Sequence, residues 1–173
     1  MTRQELAKKL YDTALITGTF LLRSGQTSDK YFDKYLFEAD ATLLREIAKI
    51  MAGNIPAGTE VLGGLEMGGI PVVTAIGLQT GHPMAFVRKE AKTYGTCKIA
   101  EGAAVEGKRV TIVEDVVTTG GAIIDGVTEL RKRGAIVEDV ICVLQRGENA
   151  VEILAEHGLR LVPAFTMAEL LEA

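Results

Sequence analysis

The 173-residue chain suits one domain burying roughly 70% of its unfolded surface, and its 47% hydrophobic and 24% charged content is ordinary for a globular protein. A formal net charge of −4 gives no reason to expect nucleic-acid binding, so an anionic ligand must be drawn in by a local basic cluster. The two cysteines fit no zinc spacing, the two histidines stand alone, the N-terminus has no apolar signal core, and no run approaches about 18 apolar residues. No membrane segment is expected, and the cytoplasm is the expected compartment.

In chain order, Thr2 and Glu5 can form a capping box for a helix whose stripe is Leu6, Leu10, Ala14 and Leu15 and whose stop is Gly18. Two extended segments follow, Phe20–Arg23 and Lys30–Phe37, separated by a turn-like stretch. Asp40 can cap a helix carrying Leu43, Leu44, Ile47 and Ile50. From there the pattern alternates. Val61–Gly64 reads as a strand, 70–80 as a helix and Met84–Val87 as a strand; 88–108 is long, polar and weakly periodic. Strand Val110–Val113, a helix with Ile123, Ile124, Val127 and Leu130, strand Ile136–Leu144, helix Asn149–Glu156, strand Leu159–Phe165 and a last helical turn complete the chain. This alternation predicts an α/β domain over 1–173, a parallel sheet flanked by helices, with ligands bound beyond the carboxyl ends of its strands. Cys142, in an apolar run, reads as a small core residue, and Cys97 lies in a polar stretch.

The most informative segment runs from Val110 to Ala122, an apolar strand entering Glu114-Asp115, two valines, Thr118-Thr119-Gly120-Gly121 and a helix. A helix N-terminus offers unpaired N–H groups and a positive dipole end to a phosphate, the glycines let the backbone curl around it, and the threonine hydroxyls can donate to its oxygens. Glu114 and Asp115 would repel a phosphate, but they can accept hydrogen bonds from a vicinal diol. A ligand with a diol at one end and a phosphate at the other is a ribose 5-phosphate. The P-loop pattern G-x-x-x-x-G-K-S/T is absent, and the glycines at 63–69 do not match G-x-G-x-x-G.

Residues 110–122 resemble the 5-phosphoribosyl-1-diphosphate (PRPP) motif of type I phosphoribosyltransferases. Three further segments narrow the resemblance to orotate phosphoribosyltransferases. Arg88-Lys89-Glu90-Ala91-Lys92-Thr93-Tyr94-Gly95 is similar to the family's R-K-x-x-K-x-H/Y-G catalytic loop, and Phe20–Gly25 running into Ser28–Asp33 is similar to its N-terminal segment. Gln145-Arg146-Gly147 follows a strand as in the family. The resemblance implies the type I fold with a small N-terminal hood (about 1–38) and a mobile catalytic loop (about 88–108). It implies transfer of the phosphoribosyl group of magnesium-bound PRPP to orotate, giving orotidine 5′-monophosphate and pyrophosphate.

By the same resemblance, Glu114 and Asp115 hold the ribose hydroxyls, and Val116, Val117, Thr118, Thr119, Gly120, Gly121 and Ala122 wrap the 5-phosphate. Arg88, Lys89 and Lys92 neutralise the pyrophosphate, with Lys92, Arg88 and Asp115 carrying catalysis. Arg23 contacts PRPP, while Arg146, Thr118, Tyr31 and Phe32 frame orotate. The basic loop is shared across subunits in the family, which implies a homodimer. Gly68 stands where many members carry lysine, leaving the pyrophosphate one cation short, and Tyr94 replaces a frequent histidine. The competing readings are a purine-base phosphoribosyltransferase and a non-catalytic regulator that senses PRPP or nucleotides.

Overall fold

The computed structural model describes residues 1–21, 25–90 and 98–173. Helix α1 spans Arg3–Ala14 and opens on the expected box, in which Thr2 and Glu5 satisfy each other's backbone N–H groups. It ends four residues before Gly18, because Leu15–Leu21 forms strand β1, which pairs antiparallel with β2, Thr27–Phe32. Gly18 lies at an irregularity in that pairing, where a Cβ would come within 3.0 Å of the Phe20 ring. The β-branched and aromatic residues of β1 favour a pleated strand over another helical turn. The second extended segment is also cut short. The Asp33 carboxylate accepts a hydrogen bond from Tyr35 N at 3.1 Å and starts helix α2, Lys34–Ala39, so residues 34–37 are helical.

Asp40 caps α3 (Ala41–Gly53) through Thr42 N and Leu43 N. Next come β3 (Val61–Leu65), α4 (Gly69–Thr80), β4 (Met84–Val87), β5 (Ala100–Gly102), β6 (Arg109–Val117), α5 (Gly121–Lys132), β7 (Ile136–Gln145), α6 (Ala150–Glu156), β8 (Arg160–Thr166) and α7 (Met167–Glu172). The main sheet has the order β5-β4-β3-β6-β7-β8, all parallel except the edge strand β5. Within the segment expected to be a loop over 88–108, Ala100–Gly102 forms β5 and pairs with β4.

Each strand between the helix layers feeds two cores. One face packs Leu43, Ile47, Val72, Ile76 and Val113 with helices α1, α3, α4 and α7, and the other packs Ile112, Ile123, Leu130, Val140 and Leu154 beneath α5 and α6. Cys142 is fully buried in the second core, where burial pushes its thiol pKa up, as fits a packing residue. Among the described residues no helix is long and apolar enough to cross a membrane.

The chain leaves β3 through α4 towards β4 on one side and leaves β6 through α5 towards β7 on the other. The neighbours β3 and β6 therefore straddle the point where the winding direction reverses, and the loops beyond their carboxyl ends part to form a crevice.

Candidate active site

Strand β6 runs through Val117, so Glu114 and Asp115 are not at a strand end as expected but inside it, paired alongside β7. Glu114 is 9% exposed and Asp115 is fully buried. Carboxylates are tolerated there because a cluster surrounds them. Lys34 Nζ of α2 lies 2.6 Å from Asp115 Oδ2, a close ion pair. The Glu38 carboxyl, one turn on in α2, and the Glu114 carboxyl both contact that of Asp115.

Burial is the largest influence on every member of this cluster. It drives Glu38, with the adjacent Asp115 charge, up to about 9, and raises Glu114 well above the ordinary carboxyl range for the same two reasons. Burial also works against ionised Asp115, but hydrogen bonds from Glu114 and Lys34, and the Lys34 charge, outweigh it and hold Asp115 low. Lys34 is held above its usual value, since the bond and charge of Asp115 overcome the cost of partial burial. At neutral pH Glu38 therefore keeps its proton, and the opposite shifts of Glu114 and Asp115 make Asp115 the favoured anion beside the Lys34 cation.

Beyond Val117 the chain turns through Thr118 and Thr119, both exposed, into α5. Gly120 takes φ of +78° there and provides no side-chain cap, so the first N–H groups of α5 are left to an outside acceptor. A residue with a Cβ at 120 would also press Leu154 at 2.8 Å. The loop after β7 closes over this turn. Arg146 N and Gly147 N donate to Val117 O at 2.8 and 3.2 Å, and Gly147 lies so close to the Thr118 carbonyl that a Cβ would overlap it. Arg146 is thereby anchored at the rim with its side chain exposed. Val116 and Val117 are strand residues, Val117 being buried in the second core, and the cradle proper begins at Thr118.

The third wall is the turn after β3, which contains a cis peptide between Glu66 and Met67. Glu66 Oε1 accepts from Lys89 N at 2.7 Å, which ties the end of β4 to this turn. Arg88 donates its backbone N–H to Ile99 O at 2.8 Å, and its Nε lies 3.5 Å from Glu101 Oε1. That ion pair is partly exposed on both sides, so exchanging it for a more highly charged anion costs little. A cavity of about 170 Å³ lies between this turn and the start of α5, lined by Glu66, Arg88 and Lys89 on one side and by Ala122 and Asp125 of α5 on the other.

The carboxyl-end face of the sheet thus carries uncapped amides at α5, a carboxylate held low in β6, and basic residues beside the β3–α4 turn. The profile of the phosphoribosyl transferase domain family matches residues 36–157. An orotate phosphoribosyltransferase of a Nocardioides species is 51% identical over 165 residues, 95% of this chain and 92% of that protein. That of Natronomonas pharaonis is 42% identical, covering 99% of this chain and 98% of that protein. This chain belongs to the orotate phosphoribosyltransferase family.

The backbone agrees with the sequence match. The crystal structure of the Mycobacterium tuberculosis orotate phosphoribosyltransferase in complex with PRPP superposes with a TM-score of 0.82 at 29% identity, covering 97% of this chain and 98% of that one. Of the residues expected at an orotate phosphoribosyltransferase site, Arg88, Lys89 and Ala122 line the cavity, Thr118–Gly120 and Arg146 lie in the loops after β6 and β7, and Glu114 and Asp115 lie within β6. Tyr31 is 43% exposed on β2 and rests against Phe20, ring centres 5.5 Å apart. Phe32, by contrast, is buried in the first core and ties the hairpin to the body. Arg23, Lys92, Tyr94 and Cys97 lie outside the described residues.

Sequence reasoning missed Lys34 and Glu38. Lys34 fell in a segment expected to be extended and Glu38 just beyond it, which hid their i, i+4 relation and hence their shared helix face.

Proposed function

We propose that this chain transfers the phosphoribosyl group of PRPP to orotate, forming orotidine 5′-monophosphate and pyrophosphate in the synthesis of pyrimidine nucleotides. The observation that carries this reading is the joining, at one switch point, of an ionised Asp115 and the uncapped first turn of α5. Family membership then favours orotate as the acceptor.

In this reading the α5 amides and the Thr118 and Thr119 hydroxyls hold the 5-phosphate, and Glu114 and Asp115 take the ribose hydroxyls. PRPP enters as its magnesium complex, so the metal is part of the substrate. As the bond from C1 to the pyrophosphate oxygen breaks, positive charge grows on the ribose and negative charge on the departing group. The buried Asp115 anion serves the ribose, while Arg88, Lys89 and Lys92 neutralise the pyrophosphate. The orotate nitrogen forms the new bond to C1; its ring is already acidic, so no strong general base is needed. Catalysis comes from positioning and from charges set where charge develops.

Arg146 grips the orotate carboxylate with its forked guanidinium, and Thr118 and Tyr31 frame the ring. The segment between β4 and β5 closes over the site, excludes water that would capture the reactive sugar, and reaches the partner's site in a homodimer. The enzyme works in the cytoplasm. Turnover measured side by side with orotate, adenine and hypoxanthine tests the assignment. Orotate alone should be consumed; use of either purine in its place would move the chain to another phosphoribosyltransferase class.

A further inference from the structure

We infer that Lys34 is a positioning residue for the transfer reaction: from α2 its ammonium fixes the Asp115 carboxylate above Gly68, so the hood supplies a cation that the β3–α4 turn does not carry. The inference rests on the reading of Asp115 as an acceptor of a ribose hydroxyl.

Three observations combine. Asp115 is fully buried while the Lys34 side chain is 33% exposed, so the ammonium stands at the mouth of the crevice and reaches inward to the carboxylate 2.6 Å away. A Cβ built on Gly68 would overlap the Asp115 carboxylate and lie 3.1 Å from Lys34 Nζ. The ion pair thus occupies the volume of any side chain at 68, and glycine is required for the pair to stand where it does. Finally, besides the Val116 N–H that donates to Asp115 Oδ1, the other side chains acting on the Asp115 carboxyl are the acids Glu38 and Glu114. Among the described residues Lys34 is the only cation in that set, and without it three carboxyls would crowd one buried space.

The charged and titratable groups facing Asp115 and its partner can be named element by element. Lys34 and Glu38 come from α2, with Tyr35 and the cap Asp33 beside them; Glu114 comes from β6; the Cys142 thiol comes from β7. The β3–α4 turn contributes Gly68, which brings no charge. Removing Lys34 from this set favours protonation of Asp115, and a protonated carboxyl is a poorer acceptor for a sugar hydroxyl.

The test is kcat/KM for PRPP against pH in the full-length protein, with melting temperature recorded alongside, for wild type, Lys34→Met, Lys34→Arg and Gly68→Ala. Lys34→Met should lower kcat/KM for PRPP about tenfold at neutral pH and move the acidic limb of the profile upward by about one pH unit, leaving KM for orotate nearly unchanged. Lys34→Arg should restore most of the activity and the position of the limb. Gly68→Ala should also depress kcat/KM for PRPP, although it removes no polar group, because it displaces the pair. An active wild type beside a Lys34→Met variant with an unmoved limb and unchanged kcat/KM refutes the inference alone. A loss that arginine does not repair, or that follows a fall in melting temperature, assigns Lys34 a merely structural role and also overturns it. A wild type that forms no orotidine 5′-monophosphate overturns both this inference and the transferase reading.

Discussion

Replacing Glu38 with glutamine should flatten the dependence of stability on pH. Glu38 is 8% exposed, and burial followed by the charge of Asp115 raises its carboxyl from the usual 4.5 to about 9. The native state therefore keeps a proton that the unfolded chain releases near 4.5. For a group raised in this way, its contribution to stability is complete below the unfolded value and is withdrawn as pH climbs towards the folded one. The slope approaches about 1.4 kcal/mol per pH unit, so by neutral pH roughly 3 kcal/mol has been withdrawn. Glu114 is shifted in the same direction and adds a slope of its own, which the variant keeps; the depressed Asp115 acts only at more acidic pH. Glutamine cannot titrate but can still donate to Asp115 from its amide. Urea unfolding of both proteins at pH 5, 6, 7 and 8 should show the difference in unfolding free energy moving in favour of Glu38→Gln by roughly 1 kcal/mol per pH unit. A constant difference across that range would mean that Glu38 is ionised in the folded protein and that no proton is shared with Asp115.

Arg146→Ala should raise KM for orotate roughly ten- to a hundredfold while PRPP affinity stays nearly intact, since one charge-assisted fork is lost; steady-state kinetics in both substrates check it. Lys92→Ala should lower kcat on the order of a hundredfold while PRPP binding by calorimetry weakens far less, and equal losses in both would remove the loop from the chemistry. Gly147→Ala should cost about 1–3 kcal/mol in thermal unfolding and weaken PRPP binding, because its Cβ meets the Thr118 carbonyl and displaces the phosphate turn.

Much of this site was legible because its parts are local. An apolar strand, two acids, a threonine–glycine turn and a helix lie within the thirteen residues 110–122, and each has a physical role readable without tertiary context. Strand alternation likewise placed the loops after β3, β4, β6 and β7 on one face. The acids were read at a strand end because charge is a poor guide inside a buried strand. Tertiary partners reversed that preference: β6 continues past Asp115 because Lys34, eighty-one positions earlier, meets its charge. Such a partner has no trace near the motif. Gly68 did hint that a cation was missing, and an i, i+4 pairing of Lys34 with Glu38 could have been noticed had α2 been recognised from its Asp33 cap. Phe32 shows another gap: expected beside orotate with Tyr31, it packs in the first core, a tertiary placement that the local motif does not reveal.

Titration calorimetry with magnesium-PRPP offers the most direct trial of the idea that β6 and the first turn of α5 hold the two ends of one phosphorylated pentose. The wild type should give a saturating isotherm, and a folded Glu114→Gln/Asp115→Asn double variant should bind at least about tenfold more weakly, losing hydrogen bonds to both hydroxyls. Binding of equal strength in the two proteins, or none in the wild type, would contradict it.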